Sequence, residues 1–163
     1  MDPSLPLPAV PAAARDAVVR EWLARVLRAY PEQTSRFLLR ESDRFRNPVG
    51  HALREGLPLL LDELTGGFDI ARVTPVLDEI IHIRAVQDFS ASEAVGFIFL
   101  VKPILREYLT AGAALEVFDR RIDEMALLAF DLYMQCREKA AQIRVDEARR
   151  RVYLLERTAG WNQ

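Results

Sequence analysis

Three observations on this 163-residue sequence predict an all-α fold. Apolar residues recur three and four apart over most of its length, cap-and-proline pairs mark helix starts, and no stretch sustains the two-residue alternation of a half-buried strand. The expected architecture is one domain of five to six helices, the last of them long, and the chain is large enough to bury a core without staples.

The first helix is predicted over Ala12 to Tyr30, where Val19, Trp22, Leu23, Val26, Leu27 and Tyr30 fall on one face. Pro31 ends it and suits the first turn of a second helix, which runs to about Phe45 and presents Phe37, Leu38 and Leu39. Asn47-Pro48 is a cap followed by proline at the first helical position, so a third helix runs from Pro48 to Leu64 with a bend at Pro58. Thr65-Gly66-Gly67 stops it. Thr74-Pro75 repeats the start signal and opens a fourth helix to about Asp88. Ser90 with Glu93 makes a capping-box pattern for a fifth, which ends near Thr110-Ala111-Gly112 and is kinked by Pro103.

From Ala113 to about Thr158 no Gly or Pro interrupts the helical pattern. Leu115, Phe118, Ile122, Met125, Ala129, Leu132 and Cys136 have the spacing of a two-helix seam. After Cys136 the register changes to Ala141, Val145, Ala148, Val152 and Leu155. At about 1.5 Å per residue this helix outreaches a domain of this size, so its far half projects and needs another partner. Charge divides at the same place: residues 137–157 carry seven Lys/Arg against four acids (+3), the remainder 15 against 20 (−5). The expected organisation is a flexible proline-spotted arm over 1–11, a helical domain over 12–136, and a projecting helix end and tail over 137–163.

Composition excludes several classes. A net charge of −2 gives no general reason to expect nucleic acid, and the run Arg149-Arg150-Arg151 has interleaved acids and few aromatics, as a solvated face does. The lone Cys136 rules out an intramolecular disulfide framework and fits a reducing, cytoplasmic setting. Pro3, Pro6 and Pro8 break the N-terminus where a signal peptide needs a continuous apolar run, and the run Ala94 to Val101 is far too short to span a bilayer. No nucleophile elbow, P-loop or dinucleotide fingerprint occurs, so no enzyme activity is expected.

The turn Phe45-Arg46-Asn47-Pro48-Val49-Gly50 and the downstream stretch Ile83-Arg84-Ala85-Val86-Gln87-Asp88-Phe89-Ser90-Ala91-Ser92-Glu93-Ala94-Val95-Gly96-Phe97 are the most distinctive wording in the chain. They resemble the N-terminal domain of the RsbR/RsbRD co-antagonists, over about Trp22 to Leu109 and onward towards Tyr133. The resemblance implies a globin-like but haem-free helical sensor module of bacterial stress signalling, with a helix leading to a phosphorylatable STAS domain. This chain runs to Gly160-Trp161-Asn162-Gln163 without that domain's residues, so no phosphorylation role is carried over.

His82 shares a polar face with Asp78 and Glu79, away from Val76, Leu77, Ile80 and Ile81, which is the wrong side for a haem ligand. His51 and His82 lack a metal-site spacing, so neither metal nor cofactor is expected. Cys136, on a seam position, reads as a small buried apolar residue. Arg84, Gln87 and Asp88 form a polar stripe with two readings left open: a surface ion pair, or a buried polar cluster bracing the corner at Phe89-Ser90. Gly96 in a bulky apolar helix costs about 1 kcal/mol against alanine. Close helix approach is the expected compensation, and a ligand cavity between Val95, Gly96, Phe97, Ile98 and Phe99 is the rival.

The fold expected is therefore a globin-like or irregular helical bundle. The function expected is a non-enzymatic cytoplasmic regulatory module. It would form a homodimer through Val145, Ala148, Val152 and Leu155 and act on protein partners, STAS or switch-kinase proteins in the resembled family. The alternatives are a sensor holding haem or a small apolar ligand, and an assembly factor for an enzyme complex.

Overall fold

The computed structural model describes residues 10, 12–87, 89–108 and 113–159, so the predicted arm lies outside it except for a buried Val10. Among the described residues every regular element is helical: α1 (Ala12–Leu27), α2 (Glu32–Arg40), α3 (Pro48–Thr65), α4 (Ile70–Val86), α5 (Ala91–Gly96), a 3-10 segment (Phe97–Leu100), α6 (Val101–Tyr108) and α7 (Ala113–Ala159). The segments from α5 to α6 follow one another without a break and together form the predicted fifth helix. The result is an irregular bundle of six helical units with a long C-terminal helix. α4 packs against both α3 and α7, while α1 lies against α3, the 3-10 segment and α6. Their apolar faces share one core, whose largest fully buried side chains include Trp22, Phe118, Leu57, Leu60 and Leu77.

Three helix boundaries differ from the sequence expectation, the first being α1, which ends at Leu27 and leaves Tyr30 in the connection to α2. α2 ends at Arg40 and not near Phe45, because Asn47 folds back and its Nδ2 donates to the Leu38 and Glu41 carbonyls at 2.9 and 2.8 Å. Asp43 then accepts from the Phe45 N–H at 2.8 Å and holds the turn that follows. α4 begins at Ile70, one turn before Thr74-Pro75. Asp69 is its cap, accepting from the Ala71 N–H at 2.9 Å, and Pro75 sits inside the helix at an exposed position. The start at Asn47 is as expected: Oδ1 accepts from the Gly50 N–H at 2.8 Å, and Pro48 fills the first helical position. α3 continues through Pro58. Pro103 falls in the first turn of α6, just after the backbone has tightened into the 3-10 segment, where its missing N–H is least costly.

The α3–α4 corner is tied by side chains from three elements. Gly66 follows the last residue of α3, but the left-handed backbone falls on Phe68 (φ 53°). That conformation is unusual for a side chain of this size. Phe68 gives its N–H to the Glu63 carbonyl at 3.1 Å and lies under the Arg121 guanidinium. Arg121 of α7 donates to the Leu64 and Gly66 carbonyls at 2.7 and 2.8 Å, capping the end of α3 with positive charge. The buried Glu63 accepts from the Asp69 N–H and pairs with Arg72, both at 3.0 Å. On the other side of α3, Arg15 grips both carboxylate oxygens of Asp62 through Nε and Nη2, at 2.6 and 2.7 Å, and fixes α1.

α7 at 47 residues is about 70 Å long at 1.5 Å per residue, and only its first half touches the bundle. Phe118, Ile122, Met125, Ala129, Leu132 and Tyr133 are buried, and Leu115 and Cys136 are partly so. From Glu138 to Val145 every side chain is exposed, and from Asp146 to Leu155 all but Asp146 are.

Candidate functional site

The α4–α5 corner places one arginine in the core. Arg84 occupies the last turn of α4 and is 2% exposed. Its Nη1 donates to the Glu93 carbonyl at 3.0 Å, and its own carbonyl accepts the Phe89 N–H at 3.3 Å, so it spans the corner in both directions. Ser90 and Glu93 complete the predicted capping box: the Ser90 N–H and hydroxyl both donate to Glu93 Oε2, at 2.9 and 2.6 Å. That bonding holds the Glu93 carboxyl below its usual range and turns its charge away from Arg84.

Three rings surround the guanidinium. Its central carbon lies 5.6 Å from the Tyr30 ring centre, 4.9 Å from Phe89 and 5.0 Å from Phe97. Tyr30 and Phe89 also meet edge to face at 5.4 Å. Aromatic faces partly replace water around a cation, each by about 0.5–2 kcal/mol, but they accept no strong hydrogen bond. Arg84 Nε and Nη2 accordingly have no acceptor among the described residues. Burial lowers the Arg84 pKa and raises that of Tyr30, each opposed by the other's charge, and the arginine stays protonated at neutral pH.

Neighbouring bonds fix the cage. The Trp22 indole N–H donates to the Phe97 carbonyl at 2.8 Å inside the core, and the Tyr133 hydroxyl donates to the Phe89 carbonyl at 2.7 Å. Of the other predicted members of the polar stripe, Gln87 is exposed and touches the centre only through a 3.5 Å contact with the Tyr30 hydroxyl. Asp88 lies outside the described residues. Sequence reasoning missed Tyr30, Phe89 and Phe97 as a group, because they come from three separate segments and no spacing links them.

The residues considered for a cavity around Gly96 do not face one another. Val95, Phe97 and Ile98 enter the core, whereas Phe99 is 43% exposed with Lys102 over its ring. The close approach expected at Gly96 is absent, since a Cβ there would meet no neighbouring heavy atom within 4 Å. The backbone is ordinary right-handed helix (φ −56°, ψ −24°). Gly96→Ala is therefore expected to stabilise the protein by about 0.5–1 kcal/mol through reduced chain entropy, read as a higher urea midpoint with unchanged slope.

His82 is exposed, and its Nδ1 lies 3.6 Å from the sulfur of Cys136 across the α4–α7 contact. Cys136 is half-buried; burial foremost, and the charge of Asp78, push its thiol pKa up, so it remains protonated at neutral pH. Among the described residues no group of His, Cys, Asp and Glu has a metal-binding arrangement, and no helix is long and apolar enough to cross a membrane.

The exposed half of α7 carries a second apolar stripe. Val145, Ala148, Val152 and Leu155 are exposed, with Arg149 and Tyr153 flanking a shallow apolar groove along Val145, Ala148 and Val152. The stripe extends back onto the bundle through Leu127 (68% exposed), Phe130 (44%) and Met134 (40%), which the sequence reading overlooked. From Leu127 to Leu155 the positions 127, 130, 134, 137, 141, 145, 148, 152 and 155 stay three or four apart, interrupted only by Arg137. The apparent register change after Cys136 is thus the emergence of a stripe that begins earlier, on a different face from the buried seam. The three-and-four spacing of Leu127, Phe130 and Met134 was a readable sign of it.

Compared with known families, residues 16–149 match the model of the RsbT co-antagonist protein rsbRD N-terminal domain. No curated protein and no solved structure matches the chain.

Proposed function

From the premise that the chain belongs to the rsbRD N-terminal domain family of RsbT co-antagonist proteins, we propose that it is a non-catalytic, cytoplasmic regulatory module that works as a homodimer, pairing along α7 and presenting the paired helices to signalling partners. The family is one of signalling proteins and is generally non-catalytic. STAS and switch-kinase proteins of the RsbT type are the partners this reading favours.

The observation that carries the dimer is the exposed apolar stripe from Leu127 to Leu155, interrupted only at Arg137 and about 42 Å long at 1.5 Å per residue. Each large apolar side chain on it gains about 1.5–3 kcal/mol on full burial, and a helix of the same chain offers a self-complementary surface of matching length. A stripe shared by the bundle and the projecting half also links the two mechanically. A shift of α7 against the bundle would be transmitted to whatever the far end engages.

Sedimentation of the full chain is expected to give a dimer. Truncation after Gln142 removes Val145, Ala148, Val152 and Leu155 and is expected to weaken the dimer by at least tenfold. Phe130→Glu in the full chain is expected to weaken it as well. A full chain that remains monomeric at high concentration would overturn the α7 pairing. An undiminished dimer in both variants would move the interface to the other helices.

A further inference from the structure

We propose that the Nε/Nη2 edge of Arg84 is a receptor for the carboxylate of a small organic acid. The edge is a built donor pair: Nη1 is committed to the Glu93 carbonyl, whereas Nε and Nη2, on the same side of a 2% exposed residue, have no acceptor among the described residues. Two parallel N–H groups on one planar edge match the two oxygens of a carboxylate. This chain uses that geometry elsewhere, where Arg15 meets both oxygens of Asp62 through its own Nε and Nη2 at 2.6 and 2.7 Å. The carboxylate of Glu93, whose carbonyl Arg84 meets, is engaged by Ser90.

The surroundings select the rest of the ligand. Tyr30, Phe89 and Phe97 exclude water from the cation, and a narrow crevice continues from it between Val49, Leu53 and Ile83. These apolar walls favour a short hydrocarbon chain on the carboxylate over a second charge, and they must move apart to admit it, since the crevice has no room for a water molecule as it stands. The crevice is closed in the structure. Tyr30 in the α1–α2 connection and Phe89 in the α4–α5 connection are both only partly buried, and the Tyr30 hydroxyl is held by no more than the 3.5 Å contact with Gln87. Binding requires these rings to turn aside, and both lie in connections outside the helices.

The test is a titration of the full chain with hexanoate, followed by the ¹H–¹⁵N resonance of the Arg84 Nε–H and by the melting temperature, with hexanamide as the uncharged control. Hexanoate is expected to shift the resonance downfield saturably and to raise the melting temperature with the logarithm of its concentration. Hexanamide is expected to do neither. Arg84→Lys keeps the charge but loses the fork, and is expected to lose the thermal response. The absence of a saturable shift in the wild-type protein would overturn the proposal, as would an equal response to hexanamide or a retained response in Arg84→Lys. A shift of the unliganded Arg84 resonance produced by Asp88→Asn would overturn it too, by showing that the chain's own carboxylate takes the edge.

Discussion

Trp22→Ala is expected to destabilise the protein by about 3–5 kcal/mol, a large part of the about 5–15 kcal/mol available to a domain of this size. Trp22 is fully buried, and the loss has two sources. Removing the indole empties the space where α1 meets the 3-10 segment and α6, and a helical bundle closes such a space only partly. It also leaves the Phe97 carbonyl, which accepts the indole N–H at 2.8 Å, without that partner inside the core. Trp22→Phe separates the two: the ring volume is largely kept, the hydrogen bond is lost, and about 1–3 kcal/mol is expected. Urea unfolding at fixed protein concentration measures both. A Trp22→Phe variant as stable as wild type would mean that the bond to Phe97 contributes nothing net.

Asn47→Ala is expected to cost about 2–4 kcal/mol, more than the roughly 1 kcal/mol typical of a helix cap. The side chain is 1% exposed and makes three bonds, one as the α3 cap to Gly50 and two to the carbonyls of Leu38 and Glu41 that close α2. Arg54 also reaches both carbonyls, at 2.7 and 3.0 Å, so they are not orphaned and the cost stays below that of three independent bonds. Gly50→Ala attacks the same hub from the other side. A Cβ there would lie 2.5 Å from the Leu38 carbonyl oxygen and collide with the Asn47 amide, so a destabilisation of about 1–3 kcal/mol is expected. The contrast with the stabilising Gly96→Ala makes the pair a direct check. Equal effects of the two glycine substitutions in thermal unfolding would contradict the packing described around Gly50.

Local chemistry determined most of the helix pattern. Asn47-Pro48 and Ser90-Glu93 act within one turn of the backbone they cap, so their bonds form wherever the rest of the chain goes. The buried seam from Phe118 to Leu132 was likewise legible, because a helix that must bury one face shows it as three-and-four spacing. Where distant residues compete, the sequence misled. Thr74-Pro75 has the form of a helix start, but Asp69 was free to cap earlier and Pro75 could stay at an exposed position inside the helix. The end of α2 depended on Asn47 folding back across the turn.

The candidate site divides in the same way. That Arg84 lies one turn before a capped corner was plain from the sequence. Its burial, the three rings around it and the two nitrogens left without an acceptor among the described residues were decided only when the α1–α2 connection, the α4–α5 connection and the 3-10 segment came together around α4. Helical period fixes which residues share a face, but the fate of a charge on that face depends on what other segments bring to it. For Arg84 those segments brought aromatic faces and one carbonyl, which hold a cation in the core while leaving two of its three nitrogens without an acceptor among the described residues.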